Sequence, residues 1–346
     1  MIRGVIEGTG SYLPEYRLTN DQLEKLVDTS DEWITARTGI GCRRVAGPGE
    51  ETSKIAAEAA RRAMAMAGVE AEEIATIIVG TITSEMTMPS CACLVQKEIG
   101  AINAYAFDIS AACTGFIYGL ELADKMIKAY PDRKILVIGA ENLSARVDWQ
   151  DRNTCVLFGD GAGAAVIGAD DSGRGILATK LFSDGRLGDL LYMNAAPSLN
   201  PYIGSPYNKR KFAKTEVFDP ARLGSPRDDE GSYIKMAGRE VFKNAVLAME
   251  DSIDKVLEEA GLSGPEIDWI LPHQANIRIL HNLGERLGVP KEKIFINIHK
   301  YGNTSAATVP IAFDEANRQG LLKRGDLVLT CAFGGGFTWG AEIIRW

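Results

Sequence analysis

Three residues able to carry acyl-transfer chemistry lie in three separate, similarly built segments. Cys113 follows the run Tyr105-Ala-Phe-Asp-Ile109 and a few small residues, and it precedes the nearly all-apolar Gly115-Phe-Ile-Tyr-Gly-Leu120. That pattern predicts a buried strand, a tight turn and a buried helix with the cysteine in its first turn. A thiol there meets the positive end of the helix dipole and N–H groups that lack intrahelical partners. Both favour thiolate, the nucleophilic form. A core cysteine acting as a small hydrophobe is the competing reading. His273 sits in Asp268-Trp-Ile-Leu-Pro-His273-Gln-Ala-Asn276, where Pro272 ends a predicted strand and a helix opens near Asn276. The segment Phe295-Ile-Asn-Ile-His-Lys-Tyr-Gly302-Asn303-Thr-Ser repeats that layout and puts Asn303 at a helix start. Taken singly, His273 reads as well as a satisfied structural histidine, and Asn303 as a cap or turn residue. Together the three make a nucleophile with two groups able to hold an oxyanion.

The elements around these residues repeat. The Cys113 unit is followed by the strand Lys134-Ile-Leu-Val-Ile-Gly-Ala140 and then by Gly159-Asp-Gly-Ala-Gly163 entering an apolar strand. The Asn303 unit is followed by Asp326-Leu-Val-Leu-Thr-Cys-Ala-Phe-Gly-Gly-Gly336 and a last apolar strand. The chain therefore reads as two related halves, 1–171 and 172–346, joined at the polar Asp170-Asp-Ser-Gly-Arg-Gly175. A dinucleotide fingerprint would follow a strand and open a helix, so the nucleotide reading of Gly159–Gly163 is rejected. Strands alternating with helices imply mixed sheets covered on both faces. The helices after Cys113 and Asn303 are apolar on most sides near their starts and belong between two sheets. The expected α/β fold has five layers: helices, sheet, central helices, sheet, helices.

Composition narrows the function classes. The chain has 346 residues, 46% of them hydrophobic, which suits about two globular domains. No run approaches the roughly 20 apolar residues that span a bilayer. The start, Met1-Ile-Arg-Gly-Val-Ile-Glu-Gly, reads as a first strand and not as a signal peptide, so a cytoplasmic location is expected. The six cysteines form no disulfide framework, and Cys91-Ala-Cys93 has no second ligand pair, so no metal is expected. A net charge of −8 argues against general nucleic-acid binding.

Ser110-Ala-Ala-Cys113, Pro272-His-Gln-Ala-Asn276 and Tyr301-Gly-Asn303-Thr-Ser closely resemble the three signatures of the β-ketoacyl-acyl-carrier-protein synthase III family. Thr29-Ser-Asp-Glu-Trp33 with Arg37, and Ala332-Phe-Gly-Gly-Gly-Phe-Thr-Trp-Gly340, match as well, so the likeness covers essentially the whole chain. It implies the thiolase-like αβαβα fold, a homodimer, and no cofactor, acyl-coenzyme A being a substrate. It also implies two half-reactions. Cys113 takes an acyl group from acyl-coenzyme A, and malonyl-acyl carrier protein then loses carbon dioxide and attacks the acyl-cysteine. By the same resemblance the backbone N–H groups of Cys113 and Gly335 form the oxyanion hole, while His273 and Asn303 hold the enolate oxygen. Trp33 stacks on adenine with Thr29, Arg37 and Arg152 around it. Gly238, Phe242, Ala245, Asn276 and Arg278 fall at pantetheine-channel and entrance positions. Lys243, Arg278 and Arg286 resemble a docking patch for the acidic carrier protein, although cations on helices more often just solvate a face. Met88 and Phe333 line the acyl pocket, Met88 by reaching across the dimer.

There are departures from the family. Asn153 stands where glycine is usual, Glu285 interrupts the patch where lysine is frequent, and Met88 replaces a common aromatic. The segment 188–232 is longer than usual and reads as a surface loop or as a lid on the acyl site. Three rival functions stay open. A cysteine hydrolase also uses Cys, His and Asn. A condensing enzyme of a specialised pathway, or a relative such as hydroxymethylglutaryl-coenzyme A synthase, shares much of the pattern. A non-catalytic partner subunit would have little use for Cys113.

Overall fold

The computed structural model describes residues 1–194 and 233–346. The loop-or-lid question over 188–232 therefore falls mostly outside the described residues. Two sheets form the frame. The first holds β1 (Arg3–Tyr12), β2 (Ile74–Gly80), β3 (Tyr105–Ile109), β4 (Lys134–Asn142) and β5 (Asp160–Asp170) in the order β1-β5-β4-β2-β3. The second holds β6 (Gly175–Ser183), β7 (Trp269–Ile270), β8 (Leu327–Gly334) and β9 (Thr338–Arg345) in the order β7-β8-β9-β6. Read from its other edge, the second sheet repeats the first. The parallel bridge Ile270–Ile294 stands where a fifth strand would pair.

Apolar patterning decides the layers. Helices α2 (Thr52–Ala67) and α3 (Cys91–Ile99) turn Ile55, Ala59, Ala63 and Val95 onto one face of the first sheet. Helix α1 (Asp31–Thr38) lies to one side, capped by Ser30. Helices α4 (Gly115–Ala129) and α7 (Thr308–Arg318) share one core with both sheets, joining Phe116, Leu120, Val309 and Phe313 to Val137, Ile167, Val328 and Ile344. Helices α5 (Gly238–Ala260) and α6 (Ile277–Leu287) cover the far face of the second sheet through Met249, Ile253 and Leu283. This is the five-layer αβαβα arrangement of two related halves, as the sequence led us to expect.

Two local expectations fail. Cys113 is not in the first turn of α4 but in a 3-10 turn, Ala112–Thr114, that leads into it. The strand expected to begin the segment that opens at Phe295 is reduced to the bridge at Ile294, plus a hydrogen bond from the Phe295 N–H to Ile270 O. Its backbone is diverted because the buried Gln274 carboxamide oxygen accepts from the Asn297 and Ile298 N–H groups at 3.1 and 3.2 Å. The chain then turns as the short helix Ile298–Tyr301.

The central helices sit so close to the sheet that side chains are excluded at the contact. A Cβ on Gly80 would lie 2.7 Å from the Gly115 carbonyl carbon. Gly80→Ala should therefore destabilise the fold by about 1–3 kcal/mol through overpacking, measured as a lower denaturant midpoint at unchanged slope.

Candidate active site

The starts of α4 and α7 meet between the sheets, and both turns leading into them are strained. Ala112 has φ 45° and Ser305 φ 49°, the two non-glycine residues with positive φ among those described. Each opens a 3-10 turn, Ala112–Thr114 and Ser305–Ala307, at equivalent places in the two halves. Left-handed backbone at a non-glycine residue costs about 1–3 kcal/mol and persists where the surroundings fix it. Here Thr114 Oγ1 donates to Ala111 O at 2.6 Å, and Thr338 Oγ1 lies 2.8 Å from Thr114 Oγ1. These contacts tie the cysteine turn to β9. A Cβ on Gly334 would lie 2.7 Å from the Cys113 nitrogen, so the glycine-rich turn after β8 runs directly against the cysteine backbone.

His273 and Asn303 are held by their backbones. The His273 N–H donates to Cys331 O at 2.8 Å, extending the β7–β8 pairing by one step. The Asn303 N–H donates to Leu157 O at 2.9 Å, and its carbonyl accepts from the Gly159 N–H at 3.0 Å. Gln274 joins the two loops, its amide donating to Pro272 O and Phe295 O. Asn303 Oδ1 accepts from the Ser305 N–H at 2.8 Å, so its amide N–H groups are the ones available to a ligand. His273 Nδ1 lies 2.6 Å from Thr308 Oγ1, which is also 3.0 Å from Ser305 O. The single Thr308 hydroxyl proton goes either to Ser305 O or to Nδ1. Only the second arrangement leaves His273 Nε2 carrying a proton.

Burial sets the electrostatics. Desolvation pushes the Cys113 thiol up to about 12, with the Glu141 charge adding to the rise and the Ser305 hydroxyl opposing it. Burial thus works against the thiolate expected from the helix N-terminus. Desolvation also pushes His273 down to about 3, so its imidazole is neutral. Glu141, at the end of β4, is driven up to about 7 by burial against the hydrogen bonds it accepts from Thr83, Ile82, Ser305 and Thr81.

Cys113, His273, Asn303, Phe333 and Gly335 all line one cavity of about 1270 Å³. Gly238, Phe242, Ala245 and Asn276 line it too. Asn276 also caps α6 by accepting from the Arg278 N–H at 2.9 Å. Trp33, Arg37 and Arg152 gather apart from that lining. The two guanidinium carbons sit 4.7 and 4.9 Å from the indole centroid, and Arg152 also donates to Asp28 O at 2.8 Å. The cations thus stack on Trp33 itself. The Thr29 hydroxyl is buried without a protein partner. Lys243 and Arg278 are exposed. Arg286 is exposed as well and is paired with Glu250 at 2.5 Å and with Asp254. Met88 is 87% exposed and does not line the cavity formed by the described residues, whereas Met86 and Thr87 do.

Sequence reasoning overlooked Glu141, Ser305, Thr308 and Gln274. A carboxylate closing the otherwise apolar Ile135-Leu-Val-Ile-Gly-Ala140 was the one legible signal among them.

The histidine shift has a measurable consequence. Its folded-state pKa lies below the ordinary 6.5, so between pH 6.5 and about 3 the unfolded chain binds a proton that the native chain does not. Stability should fall with acidification in that window by about 1.4 kcal/mol per pH unit. The difference in unfolding free energy between wild type and His273→Ala isolates this slope.

Comparison with known proteins agrees with this architecture. Residues 107–185 match the model of 3-oxoacyl-[acyl-carrier-protein] synthase III, and residues 257–346 match its C-terminal model. The chain is 55% identical over 342 residues to the β-ketoacyl-[acyl-carrier-protein] synthase III of Desulfotalea psychrophila, covering 99% of each chain. It superposes on the crystal structure of 3-oxoacyl-[acyl-carrier-protein] synthase III from Aquifex aeolicus with a TM-score of 0.87 at 48% identity, over 99% of this chain and 100% of that one. The priming β-ketosynthase of the R1128 polyketide pathway superposes with a TM-score of 0.86 at 34% identity, over 99% and 95% of the two chains. This chain belongs to the 3-oxoacyl-[acyl-carrier-protein] synthase III family.

Proposed function

We propose that the chain is an acyltransferase that starts fatty-acid synthesis by condensing an acyl-coenzyme A primer with malonyl-acyl carrier protein. The observation that carries this reading is one cavity bringing Cys113, His273, Asn303 and Gly335 together. Cys113 sulfur attacks the thioester, and the backbone N–H groups of Cys113 and Gly335 receive the oxyanion. Coenzyme A leaves as its thiol. Malonyl thioester then loses carbon dioxide while His273 Nε2–H and the Asn303 amide donate to the enolate oxygen. The carbanion attacks the acyl carbon and frees the cysteine. Buried, neutral His273 suits this role, because a donor that does not titrate works across the physiological range. The stacked Trp33, Arg37 and Arg152 supply a flat cationic surface for the nucleotide end of coenzyme A.

The hydrogen-bond pattern favours a division of labour. Asn303→Ala should keep acylation and lose condensation by about 10²–10³-fold, the usual effect of removing one oxyanion donor. Intact mass after incubation with acetyl-, isobutyryl- and octanoyl-coenzyme A reads the first step and malonyl consumption the second. No adduct with any donor, or the same adduct on Cys113→Ala, would refute the acyl-cysteine.

Carrier docking is assigned to Lys243 and Arg278, with Arg286 in a supporting place as the bound partner of Glu250 and Asp254. Charge reversal at Lys243 and Arg278 should raise KM for malonyl-acyl carrier protein well above any rise for a small malonyl thioester. Equal rises would remove the docking role. A homodimer, a cytoplasmic location and the halves 1–171 and 172–346 belong to the same reading. The exposed Met88 is then the residue offered to the partner's acyl pocket. A priming role in a specialised pathway is the second reading, favoured by the likeness to the R1128 ketosynthase. Turnover with malonyl loaded on a fatty-acid carrier protein separates the two.

A further inference from the structure

The two side chains that face the enolate in the proposed reaction are held from one turn, Ser305–Ala307. Ser305 opens it at φ 49° and fastens it to β4, its hydroxyl donating to Glu141 Oε1 at 3.1 Å. Glu141 Oε2 in turn accepts from Thr83 Oγ1 at 2.5 Å and from the Ile82 N–H at 3.2 Å. The Ser305 N–H holds Asn303 Oδ1. At the other end of the turn Thr308 begins α7 and puts its hydroxyl 2.6 Å from His273 Nδ1. Both residues are buried, and among the described residues Thr308 Oγ1 is the hydrogen-bond partner of Nδ1. That hydroxyl has one proton and two acceptors in reach, Nδ1 at 2.6 Å and Ser305 O at 3.0 Å. Two observations give the proton to the ring. Ser305 O already accepts the Thr308 backbone N–H, so it is satisfied without the hydroxyl. The 2.6 Å contact also suits a hydroxyl donor better than an N–H donor, whose bonds to oxygen start at about 2.7 Å.

We propose that Thr308 donates its hydroxyl proton to His273 Nδ1 and so keeps the ring in the tautomer whose Nε2 presents a proton to the cavity. This inference rests on the reading of His273 as a donor to the enolate oxygen. Thr308 does not line the cavity and is a positioning residue that works through the imidazole. In the other tautomer Nε2 would turn a lone pair towards the enolate oxygen and oppose the charge it has to stabilise. A second ring proton offers no remedy, because burial drives the imidazole down to about 3. The choice therefore lies between two neutral forms, and the bond at Nδ1 makes it. Threonine suits the task, since its branched side chain has few rotamers in a helix. Asn303 is aimed by the same logic, as Oδ1 is taken by the Ser305 N–H and the amide N–H groups are left for the same oxygen. One left-handed turn thus orients both donors, and Glu141 ties that turn to the half of the chain that carries Cys113.

The tautomer is read by long-range proton–nitrogen correlation NMR of the full chain labelled with nitrogen-15 histidine, at pH 7. The chain has three histidines, His273, His281 and His299, and His273→Ala identifies the relevant signals. Wild type should show one form, with Nε2 protonated and Nδ1 bare. A protonated Nδ1 in wild type overturns the proposal, and that measurement needs no variant to fold. Thr308→Val keeps the side-chain shape and removes the donor, so both tautomers should appear. Its condensation rate should fall about 100-fold, as for loss of one oxyanion donor, while acylation of Cys113 by acetyl-coenzyme A changes less than about threefold. Thr308→Ser restores the hydroxyl and should return the single Nε2–H form and most of the condensation rate. A single Nε2–H form in Thr308→Val would give the selection to another contact and overturn the role of Thr308. Equal loss of acylation and condensation in both variants would reduce Thr308 to a packing residue. An Nε2–H ring in a wild-type protein that forms no acyl adduct would instead count against the reading of the reaction and leave the tautomer assignment standing.

Discussion

The fold depends on two buried helices beginning at the same place between two sheets. Each helix start brings N–H groups without intrahelical partners into the protein interior, where such groups must find other partners. The molecule answers with tight 3-10 turns, left-handed residues at Ala112 and Ser305, and glycines where backbones touch. The same devices that let the helices meet also clear the space in which Cys113 faces the cavity. Strain and site therefore share one origin, the close approach of α4 and α7.

Desolvation governs the chemistry in that space. It pushes the Cys113 thiol and the Glu141 carboxyl up and the His273 imidazole down, all by the same penalty on burying charge. Preorganised neutral donors then matter more than fixed charges, because they cost little to bury and strengthen as charge develops on the substrate. Gln274 shows how far the structure goes to hold them. Its buried carboxamide fastens the loop of His273 to the loop of Asn303, and in doing so it removes a strand from the second sheet.

The residues proposed to recognise the larger substrates are placed differently. The Trp33 cluster and the exposed Lys243 and Arg278 are at the surface, where aromatic faces and cations stay hydrated until a partner arrives. Arg286 illustrates why residue type alone misleads at such a surface. On sequence it is a free cation on a helix face, yet the α5 carboxylates of Glu250 and Asp254, more than thirty residues earlier, already hold it.

Much of this was legible in the residues. Apolar runs of strand and helix length, glycine turns at matching places and the Cys, His and Asn at equivalent junctions were enough for five layers, two related halves and the family, because periodicity and turn chemistry are local properties of the chain. The protonation of Cys113 was not legible. A helix N-terminus is visible in sequence and argues for thiolate, but the burial that opposes it comes partly from elements more than two hundred residues away. Nor was the Ser305–Glu141 contact, which joins residues 164 positions apart. Those long-range contacts fix the local dielectric and the hydrogen-bond partners, and with them the state of every reactive group. Sequence determined which groups are present and which elements carry them; tertiary structure decided how each is charged and where its proton can go.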